Sequence, residues 1–303
     1  MKKPLVSVII PTYKSRGGLK KSIDSVLSQT YSNIEVIVID DNNPGTEERK
    51  KTEDLMNEYS LNSQVTYLKH EYNKNGAAAR NTGIFYSSGD YIAFLDDDDE
   101  WFSSKIEKQV NFLLANSMFD AVYTRFVSQD VVPYVVPYEG DAIIPLLMGR
   151  TRMYTSTLLL TRTAVLSING FDESFRRHQD YEFLIRFFDK GYKIGYMDEV
   201  LVRYTPLGGN SPQGKDYELL KDKYLNTFSD SIARIDYRYP GKGLQIVVSN
   251  YALVFYAHLA SGLIKEAMDI YFKYFVKAPI PFITQILFML KSKALSKRYE
   301  DNN

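Results

Sequence analysis

The sequence of 303 residues contains no cysteine, only three histidines and a single tryptophan. Without thiols, the chain can form neither a disulfide framework nor a thiolate metal site. Basic and acidic residues number 37 each, so the formal net charge is zero. Because bulk nucleic-acid binding depends on an excess of positive charge, we expect no nucleic-acid partner.

Long apolar runs are absent as well. The first apolar run, residues 6–10, is too short for the core of a signal peptide and ends at Pro11. No run of 18 or more apolar residues occurs in the sequence, so we expect no transmembrane helix. These absences favour a cytoplasmic protein.

Short β-rich runs alternate with amphipathic stretches over the first two thirds of the chain. We predict strands at residues 6–10, 35–39, 65–68 and 91–95, and helices from residue 19, at 76–87 and at 103–116. This order predicts an α/β fold with a mostly parallel sheet. Ligands of such sheets bind at the carboxyl ends of the strands. Three of the four ends carry polar groups: Pro11-Thr12-Tyr13, Asp40-Asp41 and the run Asp96 to Asp99.

The composition shifts at residues 206–214, which are rich in Gly, Pro, Asn and Ser, and beyond them the pattern is helical only. We therefore predict a catalytic domain over residues 1–212 and a helical domain over 213–303, with a helix pair at 245–259 and 264–276. Residues 278–298 are apolar and then basic. This pattern suits a helix on an anionic membrane surface, but we favour the alternative of a helix docked on the helical domain.

The run of four aspartates is the most informative feature. Adjacent carboxylates repel one another unless a cation lies among them, and oxygen ligands suit Mn²⁺ or Mg²⁺. If the strand's alternation continues, Asp96 and Asp98 lie on one side, which makes them the candidate metal ligands. The alternative is a solvated acidic turn that caps the next helix.

Several segments, in order and at characteristic spacing, resemble family 2 glycosyltransferases over residues 4–212. They are residues 6–13 (VSVIIPTY), 25–31 (SVLSQTY), 35–41 (EVIVIDD), 75–83 (NGAAARNTG), 89–96 (GDYIAFLD), 169–173 (NGFDE) and 179–182 (QDYE). The resemblance implies a GT-A fold with a smaller all-α C-terminal domain. It also implies an enzyme that transfers a sugar from a nucleotide diphosphate, UDP in the first place, with a divalent metal and with inversion.

The resemblance gives matched positions roles in donor binding. Pro11, Thr12 and Tyr13 would line the nucleobase pocket, and Asp41 would accept a hydrogen bond from the base. Without the family, a tyrosine directly after a buried strand, such as Tyr13, is often a simple packing residue. Asp41 could equally form an Asx-turn with Asn43. Arg80 would approach the diphosphate or the base. Alternatively, it could lie on a solvated face of its helix.

The aspartate run has implied roles as well. Asp96 and Asp98 match the family's DxD pair, which reaches ribose and metal, and Asp97 fills the middle position. Asp99 matches a following family aspartate whose role stays open.

Asp180 matches the family's catalytic base. A carboxylate here would take the proton of an acceptor hydroxyl, whereas the alternative role is an N-cap. Glu182, the nearest competitor, would point away from Asp180 on a helix. Many relatives carry a histidine after the position of Tyr204, but residues 205–211 contain none. His178, two residues before Asp180, is an open candidate for the acceptor side.

We therefore expect a hexosyltransferase of surface glycan, capsule or exopolysaccharide synthesis. Its partners would be a nucleotide sugar and a saccharide or lipid-linked saccharide, and the C-terminal helix offers peripheral contact with the cytoplasmic face of the membrane. Two alternatives remain. One is a catalytically inactive nucleotide-sugar-binding scaffold. The other is a nucleotidyltransferase, whose Gly-rich, basic phosphate loop residues 14–18 (KSRGG) faintly resemble, although the later motifs do not fit such an enzyme.

Overall fold

A mixed sheet of eight strands forms the centre of the computed structural model, which describes residues 3–15, 17–206 and 214–298. The strand order is β3-β2-β1-β4-β8-β6-β9-β5. The strands are β1 Val6–Thr12, β2 Ile34–Asp40, β3 Val65–Lys69, β4 Tyr91–Phe94, β5 Glu100–Trp101, β6 Ala121–Val127, β8 Leu158–Thr161 and β9 Ile194–Arg203; β7, Val131–Val132, lies outside this sheet. Strand β1 runs parallel to β2 and β4, and β2 to β3, so the predicted parallel α/β sheet is confirmed.

Helices cover both faces of the sheet. They are α1 Leu19–Leu27, α2 Glu47–Asn57, α3 Gly76–Tyr86, α4 Lys105–Ala115, α5 Ile143–Leu147, α6 Arg162–Ser167 and α7 Gln179–Asp189. Alternate residues of the parallel strands pack into different cores, because successive side chains point to opposite faces. Ile9 and Ile37 belong to one core, while Val8 and Val36 belong to the other. Burial on both faces explains why these strands read as continuous apolar runs.

The C-terminal part contains α8 Gly214–Thr227, α9 Ser229–Arg238, α10 Lys242–Ala260, α11 Ile264–Ile270 and α12 Pro279–Leu295. Helices α8 and α9 share a core with the sheet, since Tyr224 of α8 and Ile232 of α9 belong to the same cluster as Leu160 of β8. Helix α12 packs on α10 through buried Phe282. The division after residue 212 stays a prediction, because residues 207–213 lie outside the described part of the chain.

The end of the chain differs from the helix-only expectation. Helix α12 ends at Leu295, and strand β10, Lys297–Arg298, pairs antiparallel with β7. The backbone hydrogen bonds of this pair tie the end of the helical region to the catalytic part.

One helix in the described residues, α10, has the length and apolar composition of a membrane span. Half of its most apolar window is buried inside the protein, and buried Asn250 and His258 lie on it. This arrangement is that of a core helix around which α8, α11 and α12 pack. The expectation of no transmembrane helix stays a prediction.

Candidate active site at the carboxyl edge of the sheet

A cavity of about 240 Å³ opens at the carboxyl edge of β1, β2 and β4. All eight residues predicted to bind the donor line it, together with two small residues of α3. The lining is Pro11, Thr12, Tyr13, Asp41, Gly76, Ala79, Arg80, Asp96, Asp97 and Asp98. The parallel sheet brings these distant segments together, but their individual roles stay predictions.

A second cavity of about 450 Å³ shares Tyr13, Asp97 and Asp98 with the first. Its wall includes the loop before α1, which lies directly on the aspartate run. A Cβ atom at Gly18 would lie 2.5 Å from the carbonyl oxygen of Asp97, so only glycine permits this approach. The Tyr13 ring is 44% exposed between the cavities, which rules out simple core packing and leaves a face for a flat ligand.

The aspartate run is a turn and not a continuation of β4. The strand ends at Phe94, and the Asp99 amide donates to the Asp96 carbonyl at 3.1 Å. The expectation that strand alternation continues through Asp96 and Asp98 is therefore wrong. Both side chains nevertheless line the same cavity. Asp97 accepts a hydrogen bond of 2.5 Å from the Thr12 hydroxyl.

Two carboxyl groups of this turn, those of Asp97 and Asp99, have raised pKa values. Burial and the charges of Asp98 and Asp96 raise the pKa of Asp97 to about 6, against a hydrogen bond from Thr12 that lowers it. Burial, then Asp96, raises the pKa of Asp99 to about 8. The Thr205 amide donates to Asp99 Oδ1 at 2.8 Å, whereas Oδ2 has no hydrogen-bond partner in the described residues. Such a site favours a nearby cation.

The described residues contain no group of three or more His, Asp or Glu side chains arranged to hold a metal ion. Mg²⁺ and similar ions, however, are often held by one or two carboxylates together with substrate phosphates. Asp96 and Asp98, which line the same cavity, fit that kind of site. Metal binding therefore remains a prediction that depends on the nucleotide.

Arg80 is buried at the floor of the cavity, so the solvated helix face is wrong. Its guanidinium donates to Asp96 Oδ1 at 2.5 Å and to Gln179 Oε1 at 2.9 Å. The group also lies over the Phe171 ring, 5.4 Å from its centroid. Arg80 thus joins the aspartate turn to the first residue of α7.

Asp41 organises the loop between β3 and α3. Its Oδ1 contacts His70 Nδ1 at 2.6 Å and the Lys74 amide at 2.8 Å. Its Oδ2 accepts from Asn73 Nδ2 at 2.7 Å and from the Asn75 amide at 2.9 Å. These four bonds use the capacity of a carboxylate, so a base N–H would have to displace one of them.

The turn after β2 also differs from the expected Asx-turn of Asp41 with Asn43. Asp40 Oδ1 instead accepts from the Asn42 amide at 2.9 Å. His70, which was not predicted from the sequence, directly follows β3 and contacts Asp41. The end of β3 is the one strand end for which the sequence suggested no polar group. Its position directly after a predicted strand was the available signal.

Asp180 is the second residue of α7 and does not cap it, because His178 occupies the N-cap position. Burial raises the pKa of Asp180 to about 6, with Asp96 adding to the rise. Hydrogen bonds from the Tyr181 amide and its own amide, and the charge of Arg80, oppose that rise. The Asp180 side chain is partly buried, and the charges of Arg80 and Asp96, which line the donor cavity, act on its carboxylate.

Glu182 is held elsewhere. Both of its carboxylate oxygens accept from Arg186, one at 2.6 Å from Nη2, and the same guanidinium donates to the carbonyls of Ile168 and Gly170. This agrees with the expectation that Glu182 points away from Asp180, and it removes the competitor.

His178 lies at the start of α7 in a left-handed conformation, with φ of 58°. Its ring meets Tyr181 and Tyr224 edge-on, with centroids 5.9 and 5.3 Å away. Burial and the charges of Lys221, Arg177 and Lys223 lower its pKa to about 4. His178 is thus a neutral side chain near neutral pH. The histidine sought after Tyr204 is absent from the sequence, and residues 207–211 lie outside the described part.

Comparison with known proteins gives the family. A sequence model of glycosyl transferase family 2 matches residues 7–190. WfaP of Escherichia coli, a UDP-Glc:alpha-D-GlcNAc-diphosphoundecaprenol beta-1,3-glucosyltransferase, is 30% identical over 218 residues, which are 72% of this chain and 83% of WfaP. The amylovoran biosynthesis glycosyltransferase AmsB of Erwinia amylovora is 32% identical over 216 residues, or 67% of this chain and 70% of AmsB.

A putative teichuronic acid biosynthesis glycosyltransferase, TuaG of Bacillus subtilis, is 29% identical over 232 residues, 74% of this chain and 87% of TuaG. Among solved structures, S. aureus TarS 1-349 in complex with UDP-GlcNAc has a TM-score of 0.56 at 16% identity, covering 84% of this chain and 81% of that one. This likeness confirms the GT-A fold alone. Because the family model matches more than half of the chain, including the residues of the cavity, the protein belongs to glycosyl transferase family 2 and is a glycosyltransferase.

Proposed function

We propose that this glycosyltransferase moves a hexosyl or N-acetylhexosaminyl group from a UDP-sugar to a saccharide hydroxyl, with inversion, in the synthesis of a surface glycan, capsule or exopolysaccharide. Support for the donor comes from WfaP, named for UDP-Glc, and from TarS, solved with UDP-GlcNAc and UDP. Support for the pathway comes from relatives of amylovoran and teichuronic acid biosynthesis. Family membership leaves the nucleotidyltransferase alternative without support.

The donor occupies the cavity at the carboxyl edge in this proposal. The exposed Tyr13 ring stacks on the base, and Asp41 holds the loop that borders it. Arg80 and the Thr12–Asp97 pair fix the floor on which the diphosphate lies. Asp96 and Asp98 would hold Mn²⁺ or Mg²⁺, which when bound supplies positive charge to the leaving diphosphate.

The catalytic proposal depends on one observation, the partly buried carboxylate of Asp180 with its raised pKa of about 6. A base with a pKa near the working pH is ionised and still basic enough to take a proton. The acceptor hydroxyl gives its proton to Asp180 while its oxygen forms a bond to the anomeric carbon. The bond from that carbon to the diphosphate breaks, and UDP leaves with the electron pair. One such displacement inverts the anomeric centre without a covalent intermediate.

The acceptor is a lipid-linked saccharide in this proposal, and the enzyme works at the cytoplasmic face of the membrane. Helix α12 contains no acidic residue and presents an exposed apolar row of Ile280, Ile283, Leu287 and Leu290. Exposed lysines flank this row at 277, 291 and 293. Apolar side chains beside cations match an anionic lipid surface.

The test compares Asp180→Asn with Glu182→Gln. Asparagine keeps the size of the side chain but cannot accept the proton, and loss of a general base costs about 10²–10⁴-fold in rate. UDP-sugar binding, measured by calorimetry with Mn²⁺, should remain near wild type because the donor cavity is intact. If Asp180→Asn transfers sugar at the wild-type rate while Glu182→Gln is inactive, then Glu182 and not Asp180 is the catalytic base. Wild-type protein that binds UDP-sugar but neither transfers nor hydrolyses it is the inactive scaffold.

A further inference from the structure

A third cavity, of about 500 Å³, lies between the catalytic part and the C-terminal helices. Four basic residues and four tyrosines line it, and no carboxylate does. The charged and aromatic lining is Arg150, Arg152, Lys221, Lys293, Tyr154, Tyr181, Tyr217 and Tyr256. The volume lies within the range of small-molecule sites.

The basic residues of this cavity have neutral neighbours. Lys221 Nζ donates to Asn250 Oδ1 at 3.0 Å, and Arg150 Nε donates to Gln285 Oε1 at 2.6 Å. Both amides are fully buried. Within the described ranges, no carboxylate lies within ion-pair distance of the four cations. Arg150, Arg152 and Lys221 are partly buried, and Lys293 lies at the exposed rim of the cavity. Partly buried cations without a carboxylate partner favour binding of an anion.

Two further features agree with an anion site. Burial alone lowers the pKa of Lys221 to about 8, the direction expected of an ammonium group that lacks a counter-charge. The Thr151 hydroxyl, in the same wall, is buried without a hydrogen-bond partner in the described residues. An oxyanion would satisfy both groups.

The cavity adjoins the proposed catalytic base. Tyr181 forms part of its wall and directly follows Asp180, the proposed base. Three other lining residues, Phe288, Ser292 and Lys293, belong to α12, the helix with the exposed apolar row. The cations thus lie between the proposed base and the surface proposed to meet lipid.

We infer that this cavity binds the diphosphate group of a lipid-linked saccharide acceptor, with Arg150, Arg152, Lys221 and Lys293 as its ligands. The saccharide then extends past Tyr181 towards Asp180, and the lipid leaves along α12. A diphosphate suits four cations better than a single carboxylate does, because it offers more negative charge and more acceptor oxygens. This inference rests on the proposed transferase function and assigns its acceptor site.

Farnesyl diphosphate is a suitable probe because it carries the diphosphate and a prenyl chain but no sugar. Its binding to the full chain is measured by calorimetry with Mn²⁺ and saturating UDP, so that the donor cavity is filled. Arg152→Gln and Lys221→Gln should each weaken binding about 10- to 100-fold, as expected for the loss of a charge-assisted contact. Arg152→Lys should retain part of the affinity. Lys265→Gln, an exposed lysine outside the cavity, is the matched control and should change little.

Inorganic diphosphate separates the possible sources of the anion. It should bind more weakly than farnesyl diphosphate, because it lacks the chain that contacts α12. Equal affinity for inorganic diphosphate and farnesyl diphosphate would mean that the cavity binds a free phosphate, and it would contradict the assignment of the cavity to the acceptor. Farnesyl diphosphate affinity that is unchanged in Arg152→Gln and Lys221→Gln would also overturn it. UDP binding and UDP-sugar hydrolysis test the proposed function separately. If the wild-type protein shows both but does not bind farnesyl diphosphate, only the inference about the acceptor site is contradicted.

Discussion

Arg80 and Asp96 form an ion pair of 2.5 Å, in which the arginine side chain is 11% exposed and the aspartate 37%. A metal ion at Asp96 must therefore share this carboxylate with a resident guanidinium. Two cations around one carboxylate compete unless a phosphate joins them. The ion pair explains why we expect weak metal binding by the free enzyme and stronger binding once a nucleotide diphosphate is present.

The variant Arg80→Gln tests this competition. It should lower the melting temperature without ligand, because Asp96 loses its partner and the stacking on Phe171 is lost. The loss of a charged hydrogen bond costs about 1.5–3 kcal/mol. Mn²⁺ alone should then stabilise the variant more than it stabilises wild type. Thermal melts across a Mn²⁺ series measure both effects.

Arg125→Gln is the control for that experiment, because it breaks an ion pair with Asp198 away from the cavity. Its Mn²⁺ response should equal that of wild type. If Arg80→Gln responds to Mn²⁺ no more than wild type does, Asp96 is not a metal ligand.

Asp98→Asn should abolish transfer and weaken Mn²⁺-dependent UDP binding. The amide keeps the shape of the side chain but removes a charged oxygen ligand, which hard cations require. Calorimetry of UDP with Mn²⁺ and with EDTA measures the change, and Asp54→Asn, on the exposed side of α2, serves as the control. Wild-type activity that survives EDTA would contradict the metal assignment.

Asp180→Asn should stabilise the protein at neutral pH. The pKa of Asp180 is about 6 in the folded protein and about 3.9 in an unfolded chain, so the folded state binds the proton more tightly. Stability therefore falls as pH rises from about 4 to 6, and the full cost is present at pH 7. The asparagine variant lacks this cost.

Melting temperatures of wild type and Asp180→Asn should thus diverge as pH rises and converge near pH 4. In wild type, transfer should fall as pH drops below about 6, because the base becomes protonated. An Asp180→Asn variant that is less stable than wild type at pH 7 would show that the carboxylate is a structural partner.

The ends of the strands were predictable from the sequence because each strand is marked by its own local run of apolar residues. Apolar runs identified β1, β2 and β4, and the residues after them had to meet at one edge. Helix α2 and strand β9 were not identified, because α2 is mostly charged and polar residues interrupt β9. Their apolar patterns are weak, and packing against the sheet decides their structure.

Long-range contacts were not predictable. The sequence offers Asp41 as a ligand for a base, yet its partners His70, Asn73 and Asn75 come from a loop about thirty residues away. The cationic cavity shows the same limit, since Arg152 and Lys221 belong to segments whose approach depends on tertiary packing. No spacing rule links such positions in one sequence.

Helix α12 has a buried face and an exposed apolar face, so truncation after Ala278 would remove a core element as well as the proposed membrane surface. Phe282 is 3% exposed in the core with α10, whereas Leu287 is 58% exposed. Phe282→Ala should destabilise the protein by about 3–5 kcal/mol. Point substitutions on the exposed face therefore separate membrane binding from folding, where the truncation cannot.

Leu287→Glu should reduce binding to vesicles of anionic phospholipid by about tenfold or more, because it removes an inserted apolar side chain and adds repulsion. Its melting temperature should stay near wild type, since the side chain already faces solvent. Leu61→Glu makes the same change at a site that is 99% exposed on the catalytic part, and it should leave vesicle binding intact. Vesicle co-sedimentation measures both variants. Equal binding by Leu287→Glu and wild type would mean that the row on α12 does not meet lipid, and that the acceptor reaches Asp180 without the enzyme resting on the membrane.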